Sequence, residues 1–423
     1  MAYLEMEKQQ IKDYILKNLK RTLKEANDYL KYPFIDPGSV YDGNLWDWDS
    51  FWATYALLNM TKEIAVELKE KVILHAKGNI YNFFDNQLED GYIPMMIEKT
   101  ELKEPYLNIK HKEGVIMNMC KPFLCQQIGL ISGFIEDYTW VLPYKEKIKK
   151  YFDCYKKYYY NPKVGLYVWA DDIMIGIDND PSSFGRPKFS TANIYLNSFM
   201  VSELKAAIKL FRAWQEEESV QSLQGELNEL IENINKECWD KRDAFYYSVD
   251  VDICTREFDW FHKGLGVFWN TLPIKIRSCS SLVPLYVGFP SKKQAEAIKN
   301  HLLDPTTFGS PWGITSLAMD EKMYNLEATN NPSNWLGPIW MVTQYLVFRG
   351  LMNYGYTAEA KALCERIIQL LSQDIQKTGT LHEFYHPMTG EPIMNAGFMN
   401  WNMLVINMMD ELEQKSSMYE LIF

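Results

Sequence analysis

The chain has 423 residues, a net charge of −11 and 14% aromatic residues, with 13 Trp, 27 Tyr and 21 Phe. Its 47% apolar and 23% charged content excludes wholesale disorder, and the acidic balance lacks the basic footprint that a nucleic acid requires. The aromatic content suits a sugar, whose C–H faces stack on rings while its hydroxyls seek donors and acceptors. A Tyr-rich core accounts for it equally well.

In chain order, the first ten residues are charged and carry no apolar core, so no targeting signal is expected. No apolar run approaches the ~18 residues of a membrane span. Ile11, Ile15, Leu19, Leu23, Ala26 and Leu30 form one stripe and predict a helix over 7–31. Helical patterns follow near 49–60, 62–86, 115–132, 142–159, 191–212, 218–238, 291–303, 337–352, 356–375 and 398–413. Strand-like pieces are short, as at Gly165–Trp169 and Phe245–Val251. No linker, low-complexity tract or clean repeat interrupts the series. One domain over 1–423, an all-α (α/α)6 barrel (toroid) of paired helices with short β elements and long mouth loops, is therefore expected. The irregular stretches 88–114, 160–190, 240–280, 304–335 and 376–397 are the candidate site loops. Seven scattered cysteines with no CxxC pair suggest reduced thiols and a cytoplasmic protein.

Aromatic and acidic residues gather in those loops. Tyr41 and the run Trp46-Asp47-Trp48-Asp49 precede a helix, where Asp49 is either its N-cap or part of a sugar cradle. Residues 169–181 carry Asp171, Asp172, Asp178 and Asp180 beside Asn179. An EF-hand loop counted from Asp178 fails, because Ser183 stands where Gly is needed and Phe189 where Glu is needed. What remains is an Asx turn or a general acid held in a rigid turn. His382-Glu383-Phe384-Tyr385-His386 sets a carboxylate among aromatics, where burial would tune its pKa. His382 and His386 have metal-ligand spacing, but Pro387 and the following turn oppose a continuous helix, which makes zinc the minor reading. Trp335 and Trp340 flank another helix entry at Pro338. No G-x-S-x-G, P-loop or G-x-G-x-x-G occurs.

These segments together resemble glycoside hydrolase family 63, within it the mannosylglycerate and glucosylglycerate hydrolase branch. The matching pieces run from Trp46-Asp-Trp-Asp49 through Gly91-Tyr92-Ile-Pro94, Gly176-Ile-Asp178-Asn-Asp-Pro181 and Gly185-Arg186-Pro187. They continue with Tyr195-Leu-Asn197, Trp335-Leu-Gly-Pro-Ile-Trp340, Glu383-Phe-Tyr385-His-Pro-Met-Thr-Gly390 and Gly397-Phe-Met-Asn-Trp401. The resemblance implies an (α/α)6 barrel that hydrolyses a small α-glucoside or α-mannoside with inversion, with Asp178 as general acid and Glu383 as general base. It further implies a substrate pocket drawn from Tyr41, Trp46, Trp48, Asp49, Tyr92, Gln126, Gly176, Arg186, Trp335, Trp340, Tyr385 and Trp401. No metal or cofactor is called for. The expected partner is a small glycoside, with no nucleic acid and no membrane, and the oligomeric state stays open. Trp335-Leu336-Gly-Pro departs from the family's Trp-Arg-Gly-Pro, and Phe384 stands where Asn is common. These departures leave the leaving group undecided among glycerate, glycerol and a second sugar, as in trehalose, kojibiose or nigerose. Arg186 either grips the carboxylate of a glycerate or ties the acidic turn Asp171–Asp180 together. An (α/α)6 epimerase is disfavoured by only six His, and a sugar-binding protein would have no need of Asp178.

Overall fold

The structure, a computed structural model, describes residues 4–98, 118–253, 269–327, 333–415 and 417–423. Parts of the predicted site loops 88–114, 240–280 and 304–335, and the start of the predicted helix 115–132, lie outside the described residues.

Among the described residues, twelve helices alternate between an outer and an inner position. The inner ones are α2 (Asp47–Met60), α4 (Leu124–Ile135), α6 (Ile194–Ala213), α8 (Val283–Val287), α10 (Met341–Asn353) and α12 (Leu404–Leu412). Each packs on the next, and α12 packs back on α2, so the inner set closes a ring. All 14 residues of α2 are buried, as a helix in contact with protein on every side requires. The outer helices are α1 (Glu5–Asn18), α3 (Val66–Asp85), α5 (Lys145–Tyr158), α7 (Glu217–Glu237), α9 (Lys292–Leu303) and α11 (Thr357–Thr378). They bury one stripe only: in α7, Val220, Leu223, Leu227, Leu230 and Ile234 face inward. Helix α1 packs on α11, which closes the outer layer beside the inner one. This is the (α/α)6 toroid. A last short helix, α13 (Tyr419–Ile422), lies against α4. No helix among the described residues is long and apolar enough to cross a membrane.

Two helix predictions are corrected. The 7–31 helix ends at Asn18, followed by a 3-10 turn to Thr22 and a two-residue strand. Asn27 then accepts from the backbone N–H groups of Tyr29 and Leu30, a local bond that competes with helix. The inner helix α8 lies between the predicted loop 240–280 and the predicted helix 291–303, where no helix is expected from the sequence. It is short, begins with Pro284 in its first turn and follows a Ser-containing 3-10 turn, Cys279–Leu282, so it shows no helical period. The six described cysteines are unpaired and buried, and Cys254 lies outside the described residues.

Candidate active site

The loops at one mouth of the ring build a cavity of about 440 Å³. Asp178 and Glu383, far apart in sequence, both line it, with Tyr41, Trp46, Trp48, Asp49, Gly176, Trp335, Trp340 and Trp401. Five further residues complete the wall: Met95, Lys121, Asp172, Phe184 and Ser333.

The first wall comes from the entry to α2. Trp46 pairs with Met96 as an antiparallel strand, and the Asp47 N–H donates to the Met95 carbonyl at 3.0 Å. Asp47 is the hub. It accepts from the N–H groups of Trp48 and Lys121, each at 2.6 Å, and ion-pairs with the Lys121 ammonium at 2.9 Å. Both side chains are essentially inaccessible, at 0% and 1%. The Lys121 ammonium also lies 5.6 Å from the Trp48 ring centre. Asp49 is not the N-cap of α2, because the helix already begins at Asp47. Its Oδ1 instead accepts from the Asn400 amide, and burial holds its carboxyl well above the usual carboxylate range against the opposing pull of Lys121.

In the turn 178–180, Asp178 is the carboxyl that faces the cavity. Its two neighbours act as anchors. Asn179 accepts from the Trp335 N–H at 2.7 Å, and Asp180 accepts from the hydroxyls of Ser278 and Ser280 at 3.1 and 2.5 Å. Gly176 takes φ +75, and a Cβ there would stand 3.3 Å from the Trp48 ring and 3.4 Å from the Lys121 ammonium. Only glycine meets both conditions. Burial raises Asp178 to about 6, opposed by a hydrogen bond from Ser333 and by the charge of Lys121.

Glu383 enters at the edge of a three-stranded sheet in which Phe384–Tyr385 lies between Ile339–Trp340 and Pro392–Met394. Its N–H donates to the Met394 carbonyl at 2.9 Å. Tyr41 donates its hydroxyl to Oε1 at 3.1 Å, and the Asn395 amide donates to Oε2. Burial raises Glu383 to about 7. The two donors oppose that rise, and the charge of Asp178 adds to it. The order of the two carboxyl values does not assign acid and base. Two donors converge on Glu383 and favour its ionised form. Trp335 and Trp340 stack at 3.8 Å and 5°, Phe384 covers Trp340 at 4.5 Å, and Trp401 stands 5.4 Å from Trp48. The result is an apolar wall between the two carboxyls.

Four predicted pocket residues stand behind the wall rather than on it. The Arg186 guanidinium ion-pairs with Asp250, and its Nε donates to the Thr191 hydroxyl, in a separate crevice. The pairing of Thr191–Ala192 with Ser248–Asp250 delivers that carboxylate, so Arg186 ties neighbouring strands and not the turn Asp171–Asp180. Gln126 donates to the Pro122 carbonyl at 2.5 Å within the inner ring. Tyr92 donates to the Asn118 carbonyl at 2.7 Å. Tyr385 donates to Asp374 at 2.9 Å and accepts from the His382 N–H at 3.1 Å. A register shift between Phe384 and Tyr385 breaks the strand alternation there and turns Tyr385 away from the cavity. The two histidines diverge. His382 Nδ1 faces Asp374, while His386 Nδ1 accepts from the N–H groups of Met388 and Thr389. No metal-binding cluster of three or more His, Cys, Asp or Glu occurs among the described residues. Lys121 was missed although it had a signal, being the one charge in the apolar run from Val115 to Leu130. Met95 and Ser333 had none.

The sequence profile of the mannosylglycerate hydrolase MGH1-like glycoside hydrolase domain matches residues 139–401. A probable mannosyl-oligosaccharide glucosidase of Schizosaccharomyces pombe is 25% identical over 246 residues, covering 56% of this chain and 28% of its own length. A mannosylglycerate hydrolase of Rubrobacter radiotolerans is 23% identical over 203 residues, covering 48% of this chain and 40% of its own. The chain thus spans well under half the length of these curated relatives. Among solved structures, the family 63 mannosylglycerate hydrolase of Thermus thermophilus in complex with glucose superposes with a TM-score of 0.68. The identity is 16%, with 94% of this chain and 98% of that one covered. Neutral trehalase from Saccharomyces cerevisiae gives 0.62 at 15% identity, covering 92% and 76%. These likenesses share the toroid.

Proposed function

Because the chain belongs to the mannosylglycerate hydrolase MGH1-like glycoside hydrolase family, we propose that it is an inverting, exo-acting α-glycosidase of a small α-glucoside or α-mannoside. The observation that carries this reading is the meeting of Asp178 and Glu383, two carboxyls with raised pKa values, in one tryptophan-walled cavity. Inversion needs one carboxyl to protonate the leaving oxygen and a second to take a proton from water on the opposite face of the sugar. Asp178, in its anchored turn, is the donor. Glu383, with Tyr41 and Asn395 on its two oxygens, is the acceptor. The sugar ring lies between them against Trp48 and Trp401, with Asp49 within reach of its hydroxyls. Carboxylates and ring faces around the anomeric carbon favour the positive charge that develops there.

A glycerate leaving group is the first candidate, on the strength of the family. Its carboxylate would meet Lys121, the cation in the cavity wall, and not Arg186. The pairing of Lys121 with Asp47 equally suits a neutral disaccharide or glucosylglycerol. A side-by-side assay on glucosylglycerate, mannosylglycerate, glucosylglycerol, trehalose, kojibiose and nigerose ranks these substrates. Proton NMR of the first sugar released from an α-glycoside should show the β-anomer. Release of the α-anomer or of an epimer would overturn the mechanism, and inertness on the whole panel would favour a sugar-binding protein.

A further inference from the structure

Two loops reach Glu383 from different sides and end on different oxygens. Tyr41, from the turn before α2, donates to Oε1 at 3.1 Å, and Asn395, just after the strand Pro392–Met394, donates to Oε2. The loops are stitched together beside these donors, for Ser39 donates its hydroxyl to the Ala396 carbonyl at 3.0 Å. Asn395 holds φ +52, in the left-handed region. Glycine adopts that conformation without strain, and asparagine is among the few other residues that tolerate it. The backbone alone would therefore accept glycine here, and the amide is what asparagine adds. The charged groups around Glu383 work against it as an anion: Asp178 faces it across the cavity and Asp49 stands beside it. Lys121 is directed at Asp47 and lies beside Asp49 and Asp178, and the His382 ring is turned to Asp374. What favours the carboxylate is the pair of neutral donors, Tyr41 and Asn395.

We propose that Asn395 is a positioning residue for this site: its amide, through Oε2, aims Glu383 at the attacking water and keeps it a proton acceptor. The proposal rests on Glu383 being the base, and its test reads Glu383 without any substrate. The protein is labelled with carbon-13 at the glutamate carboxyl, and the Glu383 resonance is assigned by its loss in Glu383→Gln. Asn395→Gly keeps the left-handed turn and removes only the amide. Its Glu383 should titrate about one to two pH units higher than in the wild type, the scale of a hydrogen bond to a charged group. Asn395→Asp, which sets a second carboxyl against the first, should move it further. On whichever glycoside is turned over, the acidic limb of kcat/KM should rise by the same amount in Asn395→Gly, with the melting temperature retained at pH 4.5, where Glu383 is protonated. A folded Asn395→Gly or Asn395→Asp protein whose Glu383 titrates as in the wild type would overturn the proposal and leave Asn395 as a turn residue. A moved titration with an unmoved kinetic limb would remove Glu383 as the base and overturn the role with it.

Discussion

Replacing Glu383 by Gln should abolish turnover and stabilise the fold, the second effect depending on pH. The residue is 2% exposed, and burial is the main reason its pKa rises from 4.5 to about 7. With the folded value above the unfolded one, the folded chain binds this proton more tightly. The stability it supplies is complete below about pH 4.5 and is lost as the pH climbs to about 7. A gap of that size corresponds to ~3 kcal/mol carried by the wild type as a burden above neutrality. Glutamine has no charge to desolvate, but its NH₂ must face either Tyr41 or Asn395, both donors. The net gain at pH 8 should therefore be smaller, ~1–2 kcal/mol. Thermal melting of both proteins at pH 8 and pH 4.5 measures it. The variant should melt higher than the wild type at pH 8 and lower at pH 4.5, because protonation returns about 3 kcal/mol to the wild type alone. Turnover at neutral pH should fall by roughly 10²–10⁴. An equal difference in melting at the two pH values would refute the argument, and so would a variant less stable at pH 8, since the buried charge would then not be the destabilising group.

Asp178→Asn should lose turnover similarly and show the same pH sense over a lower window, from 3.8 to about 6, in melting experiments. Lys121→Met leaves Asp47 buried with its two backbone donors but no countercharge, and should destabilise the fold by ~3 kcal/mol in denaturant unfolding. Adding Asp47→Asn should recover most of that loss, since the amide oxygen still accepts a backbone N–H. Arg186→Ala should reduce the melting temperature by breaking the link to Asp250, while changing rates on glucosylglycerate and glucosylglycerol by the same factor. A selective loss on the glycerate would return Arg186 to substrate recognition.

The helices that face water on one side were legible because burial of one stripe imposes a period on the sequence. α5, α7, α9 and α11 are found within a few residues of their predicted places. The weak points were physical. A five-residue inner helix such as α8 is apolar all round, so it shows no alternation to read. Side chains with the right chemistry in the right loop were also indistinguishable from their neighbours one layer back. Arg186, Tyr92, Gln126 and Tyr385 all carry polar groups suited to a sugar, yet each is engaged with the protein's own carboxylates or carbonyls. For Arg186 and Tyr385 the direction is set by strand pairing and a local register shift, which composition does not encode. The resemblance named Asp178 and Glu383, which the fold brings to one cavity, and the anchoring of Asn179 and Asp180 explains why Asp178 is the one of the three that faces it.

The closed inner ring ties assembly of the cavity to a contact between distant parts of the chain. Part of the cavity wall is made by residues 41–49, at the entrance of α2, and the adjoining part by residues 383–401, just before α12. They meet only when α12 docks on α2. Helices can form early, from local contacts, but this contact joins segments at opposite ends of the described chain, and closing so long a loop is late and entropically demanding. With every helix in place and the ring open, residues 41–49 are parted from Glu383 and Trp401, so Tyr41 no longer reaches the Glu383 carboxyl and Trp48 no longer meets Trp401. Helix content and turnover thus measure different events. The Tyr41–Glu383 contact is a gauge of whether the two ends of the circle have joined.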